Sequence, residues 1–255
     1  MKLGAAIRWV IAVALVSAVT TVAADKPGDK KDKDKVKPSA PQMVDSGSFG
    51  VFIKGQRVIT ETFSIQQESD YSSIKAQLKE TAGATPTDQK SNLEITPNGQ
   101  IVRYEWSQAA GGSLLVLPKD EFLIEKVTAT PTAKAAEQPF LMPNTSTILD
   151  NNFFIHREVM AWRYLATAPC HGDAGTRQCQ PEEYGVLVPQ DRTSLRVRME
   201  LAGKEKVTIR GEQRELLRLN LRGDGFDWAL YLDDHDRYKL MRVAIPADNT
   251  EVVRD

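Results

Sequence analysis

In the stretch TSLRVRMELAG, Leu195, Val197, Met199 and Leu201 alternate with Arg196, Arg198 and Glu200. Period two puts the apolar side chains on one face of a β-strand and the charges on the other. The same rhythm recurs along most of the chain. SFGVFIKGQRVITETFSIQ reads as two strands around Lys54-Gly55-Gln56, and YSSIKAQLKE has a single apolar face. LEITPNGQIVRYEW turns at Asn98-Gly99, where a tight hairpin needs positive φ angles. SLLVLPKDEFLIEKVTA repeats the design around Pro118-Lys119-Asp120, and Gly211, Gly223 and Gly225 punctuate the C-terminal third. Links this short join antiparallel strands, because parallel neighbours need long crossovers. The stretches Gly83 to Ser91 and Thr128 to Pro139 read as surface loops.

One segment departs from the rhythm. NTSTILDNNFFIHREVMAWRYLA sets Ile148, Ile155, Val159, Trp162 and Ala166 on one stripe, flanked by Leu149, Phe153, Met160 and Tyr164. Thr147 followed by Asp150 resembles a capping box, and the spacing predicts a helix over 147–165. A stripe this wide must cover something large, namely the inner face of the sheet. His156 falls on its border and reads as a structural residue. The predicted fold is mainly β: one large curved antiparallel sheet, a half-barrel or open barrel, with one helix packed on its concave face.

The first residues are of a different kind. Lys2 and Arg8 precede an uncharged run from Trp9 to Ala24 that closes on Val22-Ala23-Ala24. The run is shorter than the roughly 20 residues a spanning helix needs. It therefore predicts a signal peptide over residues 1–24 and a periplasmic or secreted protein. The alternative is an uncleaved anchor, which would be the chain's one route to a membrane. Residues 25–45 alternate Lys and Asp around prolines, bury almost nothing, and read as a flexible linker. Residues 46–255 then form a single β-rich domain.

Net charge is −1 over the whole chain, and −3 once Lys2 and Arg8 are removed. That balance, without a basic stripe, excludes nucleic acid as a partner. Cys170 and Cys179 share one polar loop, and in an oxidising compartment they are expected to pair as a disulfide. Eight residues between them are too many for a structural zinc pair or a C-x-x-C redox motif.

The densest acidic cluster, Asp233-Asp234-His235-Asp236, lies between two runs of apolar alternation, Trp228 to Leu232 and Met241 to Ile245. It lacks the glycine and distal glutamate of a calcium loop and reads as a hairpin bend. The tripeptide Arg222-Gly223-Asp224 is read as another bend. No nucleophile-elbow, zinc-protease, phosphate-loop or dinucleotide fingerprint occurs. No catalytic, metal or cofactor residue is singled out.

The hairpins GSFGVFIKGQRVITETFSI and WALYLDDHDRYKLMRVAIP resemble the first and last hairpins of uncharacterised bacterial envelope proteins with a curved antiparallel sheet. Those proteins are similar in architecture to lipoprotein-carrier half-barrels, in which an acyl chain lodges between sheet and helix. The resemblance implies the fold; the one-sided apolar sheet and the breadth of the helix stripe point to an exported, non-catalytic binding module for a lipid or other apolar small molecule. Candidate lining residues are Phe153, Val159, Trp162, Val197, Met199, Leu219 and Leu230. The alternatives are that these residues are simply core, that the protein is an assembly factor contacting another envelope protein, and, remotely, that it is a carboxylate-based hydrolase.

Overall fold

The computed structural model describes residues 40–80, 88–142, 146–172 and 177–255. The expected signal peptide and most of the linker lie outside them. Seven hairpin-linked strands come first: β1 (Gln42–Ile53), β2 (Gln56–Gln67), β3 (Ser72–Glu80), β4 (Asp88–Ile95), β5 (Ile101–Gln108), β6 (Ser113–Lys119) and β7 (Phe122–Thr128). They are followed by β8 (Ala136–Leu141), the short β9 (Thr147–Ile148) and the helix α1 (Ile155–Thr167). The two-residue strands β10 (Cys170–His171) and β11 (Gln178–Cys179) lead into β12 (Glu182–Val188) and β13 (Thr193–Ile209). The chain closes with β14 (Glu212–Gly223), β15 (Phe226–Asp233), β16 (Lys239–Ile245) and β17 (Thr250–Arg254).

Fifteen of these strands form one sheet, in the order β8-β7-β6-β5-β4-β3-β2-β1-β17-β16-β15-β14-β13-β12-β9. The fold is mainly β, as expected. The first strand pairs with the last, Val51 opposite Val252, so two meanders run outward from that central seam. All neighbours are antiparallel except β9, which lies parallel to β12. A twisted sheet this wide cannot stay flat. Register shifts at Met43/Asp45, Glu94/Ile95, Leu201/Gly203 and Tyr231/Leu232 add bends of the kind that bulges produce. Gly203 takes a φ of +107° at one of them, a conformation open to glycine at little steric cost.

Both meanders turn their apolar faces to α1. One inner row crosses six strands in register: Ile65, Ile74, Leu93, Tyr104, Val116 and Glu125. Each of the six is buried. The far ends of the sheet are tied by side chains. Arg192, after β12, lies 3.4 Å from Glu125 of β7, and Gln190 donates to Tyr104 of β5 at 3.1 Å. The sheet is thus an open barrel with α1 as its filling.

Several local expectations need correction. The helix begins at Ile155, not Thr147, and Thr147 and Ile148 are extended. The cause is Asp150, whose Oδ1 accepts the N–H groups of Asn152 (2.7 Å) and Phe153 (3.3 Å) and holds a turn. Asp88–Ser91, expected in a loop, belongs to β4, and part of the expected loop up to Pro139 is the edge strand β8. An edge tolerates Pro139 because no neighbour asks for its missing N–H. The first strand already begins at Gln42, inside the expected linker, and Asp45 is buried. A second, smaller apolar cluster gathers Val207, Ile209, Leu216, Ala229, Tyr231 and Val253. The shift at Leu201/Gly203 reverses which face β13 presents, so its far end covers the outside of the sheet.

Met199 is fully buried in the main cluster. Met199→Ala is expected to cost about 2–5 kcal/mol in urea unfolding. A loss within about 0.5 kcal/mol would contradict its placement in a packed core.

Candidate functional site

The seven expected lining residues do come together. Phe153, Val159, Val197, Met199, Leu219 and Leu230 are buried members of the main cluster, none more than 8% exposed. Trp162 packs half-buried against them and donates its indole N–H to the carbonyl of Tyr238 at 2.8 Å. Six of them lie in the one large core cluster and Trp162 at its edge.

Sequence reasoning missed the charges that share this interior. The first N–H groups of α1 have no cap from their own segment. Glu61 of β2 supplies one from across the barrel, accepting the N–H of Phe154 at 2.7 Å and of Ile155 at 3.1 Å. Orphan donors and the positive end of the helix dipole both favour a carboxylate there. Arg157 donates to the carbonyls of Asp150 (2.8 Å) and Phe153 (2.7 Å), and its guanidinium lies over the rings of Phe154 and Trp228. Glu158 accepts the N–H of Leu240 at 2.6 Å and pairs with Arg254, which also pairs with Asp45. Tyr104 donates to Asp150, which also accepts from Gln190 at 2.6 Å.

Burial sets the proton affinities of this network. It pushes Glu61 up to about 8, against the pull of its two N–H donors and Arg157. It raises Glu158 to about 8 and Glu125 to about 7, each opposed by its arginine partner. It lowers His156 to about 4, so the imidazole is neutral between the Tyr104 and Phe153 rings. A signal for Glu61 was present in the sequence, since it shares the inward parity of Phe63 and Ile65. Arg157 and Glu158 lie on the flanks of the apolar stripe and gave no comparable sign.

The acidic cluster is the bend between β15 and β16. His235 N–H bonds Asp233 Oδ1 at 3.0 Å, and Asp236 N–H bonds the Asp233 carbonyl at 3.2 Å. The Asp234 side chain is nonetheless largely buried, pairing with Lys204 at 2.7 Å. Among the described residues no group of three His, Cys, Asp or Glu side chains is arranged to hold a metal ion. The Arg222-Gly223-Asp224 stretch turns β14 into β15. Cys170 and Cys179 form the expected disulfide, pinning β10 to β11 beyond the helix.

An open groove of about 850 Å³ lies on the opposite face of the sheet, across β2 to β7. Its floor is two complete cross-strand rows. One runs Thr62, Gln77, Lys90, Ser107, Ser113, Thr128; the other runs Ser64, Lys75, Asn92, Glu105, Leu115, Lys126. All twelve line the groove, and Phe63, Ala76, Ser91, Trp106, Leu114 and Ala135 complete its lining. A twisted sheet is saddle-shaped, so its outer face is hollow along one diagonal. Eleven of the twelve side chains are polar or charged, in contrast with the apolar row behind them.

No protein-family model matches the chain, and no curated protein matches it in sequence. Among solved structures it is similar to the crystal structure of a β-barrel-like protein of domain of unknown function DUF1849 from Brucella abortus. The two share 6% sequence identity and a TM-score of 0.48, over 82% of this chain and 94% of that one.

The proton affinities fix a pH dependence. Glu61, Glu125 and Glu158 keep their protons to higher pH folded than unfolded, so unfolding releases protons above their ordinary value of 4.5. Stability then falls as pH rises, until the folded carboxyls ionise near 7 and 8. His156 acts in the opposite sense below 6.5, because the unfolded imidazole takes up a proton that the buried ring refuses. Three carboxyls outweigh one histidine. The thermal unfolding midpoint is expected to drop between about pH 5 and pH 8, with a shallower drop in Glu61→Gln. A midpoint that rises over that interval would contradict the protonated state of these groups.

Proposed function

We propose that the protein is an exported, non-catalytic binding module that takes its ligand in the outer groove, with the barrel interior serving as scaffold. One contrast carries the proposal: the 850 Å³ groove is open and carries two rows of mostly polar side chains over a partly apolar lining, while the residues between helix and sheet are packed as core. An acyl chain between sheet and helix, as in a lipoprotein carrier, would have to displace that core. The acidic groups pushed furthest from their ordinary proton affinity, Glu61 and Glu158, lie in the interior and not among the groove residues, which favours binding over acid–base chemistry. Export is supported by the apolar N-terminal run before a charged linker and by the disulfide. A second reading, an envelope assembly factor, draws support from the edge strand β8, where Leu141 is 70% exposed.

Amide-shift mapping of isotopically labelled protein against a soluble bacterial envelope fraction tests the proposal. Shifts are expected at Thr62, Gln77, Lys90 and Ser107, and they should vanish in Ser107→Trp, which fills the groove. Shifts centred on Phe153, Met199 and Leu230, or no change in the groove, would overturn it.

A further inference from the structure

Two lysines in the groove stand apart from the other charges. Arg103 matches Glu105, and Lys126 meets Glu137 at 2.8 Å. Lys75 and Lys90 are exposed and have no ion-pair partner among the described residues. They sit on adjacent strands, with Lys75 opposite Asn92 and Lys90 opposite Gln77, so they are diagonal neighbours on one face. Together they give the groove an unbalanced positive charge on a chain whose net charge is −1.

The rest of the floor is matched to hydroxyls. At least one hydroxyl or amide side chain comes from each of the six strands, a span of about 24 Å. Such a lattice suits a polymer lying across the strands and offering a hydrogen-bonding group at each step. An extended pyranose chain advances by about one strand spacing per residue. A recessed trough also keeps its floor away from a flat membrane, whereas a single chain can enter it.

We infer that the outer groove binds an acidic polysaccharide strand. The carboxylates or phosphates of the strand would lie against Lys75 and Lys90, and its hydroxyls along the two polar rows. The inference rests on the proposed binding role of the groove and adds the class of ligand. An exposed lysine contributes through charge at short range, so the interaction is screened by salt.

Calorimetric titration of the full chain with oligogalacturonate, neutral cello-oligosaccharide and vesicles containing phosphatidylglycerol tests it. The result expected is binding of oligogalacturonate that weakens about tenfold in Lys75→Gln/Lys90→Gln and weakens again as salt is raised. Both substitutions are on the exposed face, and the unfolding midpoint checks that the variant is folded. Three results would overturn the inference. They are equal binding of the neutral oligosaccharide by parent and variant, preferential binding of the vesicles, and no binding of any probe by folded protein. The first leaves the groove's binding role standing, and shift mapping with the envelope fraction decides that role independently.

Discussion

The carboxyl group of Glu61 holds the start of α1, and the architecture depends on that seat. A helix whose first amides lie inside a barrel cannot turn to water for partners, and leaving them unpaired would cost about 1–3 kcal/mol each. Glu61 reaches them from a strand 93 residues earlier in the chain. Glu158 makes the matching tie on the other side, joining the helix to Leu240 and Arg254 in the C-terminal meander. The helix is therefore fixed to both halves of the sheet, and the apolar faces of both halves have something to close upon. The charges cost desolvation, and their hydrogen bonds join the helix to both meanders.

With the interior occupied, the two faces of the β2–β7 half divide the work. Side chains alternate across a strand, so one sequence writes a sealed row and an open row at once. Ile65 to Glu125 face the helix, while Thr62 to Thr128 face solvent. Curvature that lets the inner row wrap α1 comes with a twist that hollows the outer row. Fold and candidate site are in this sense consequences of one geometry.

Much of this was legible in the sequence. The period-two runs, the Asn98-Gly99 turn, the bend at Asp233 to Asp236 and the Cys170–Cys179 pairing all depend on neighbours close in the chain. What was hidden depends on distance. Thr147 reads as a helix cap from its near neighbours, whereas β9 forms because Thr147 finds Val186. Asp45 looked like linker, whereas Arg254, across the seam between first and last strands, buries it. The groove needed registers: each polar residue looked like an ordinary wet-face residue until the strands were aligned in rows.

The central claim, a closed scaffold built around a fixed helix, is tested most directly by native-state hydrogen exchange at the amides of Phe154 and Ile155. Those two N–H groups report on the Glu61 seat itself. They are predicted to exchange only through global unfolding, with an opening free energy equal to that of the whole domain and unchanged by an added fatty acid. Fast exchange by local opening at these two positions, or protection that changes when a fatty acid is added, would show a barrel that opens to admit a ligand and would contradict it.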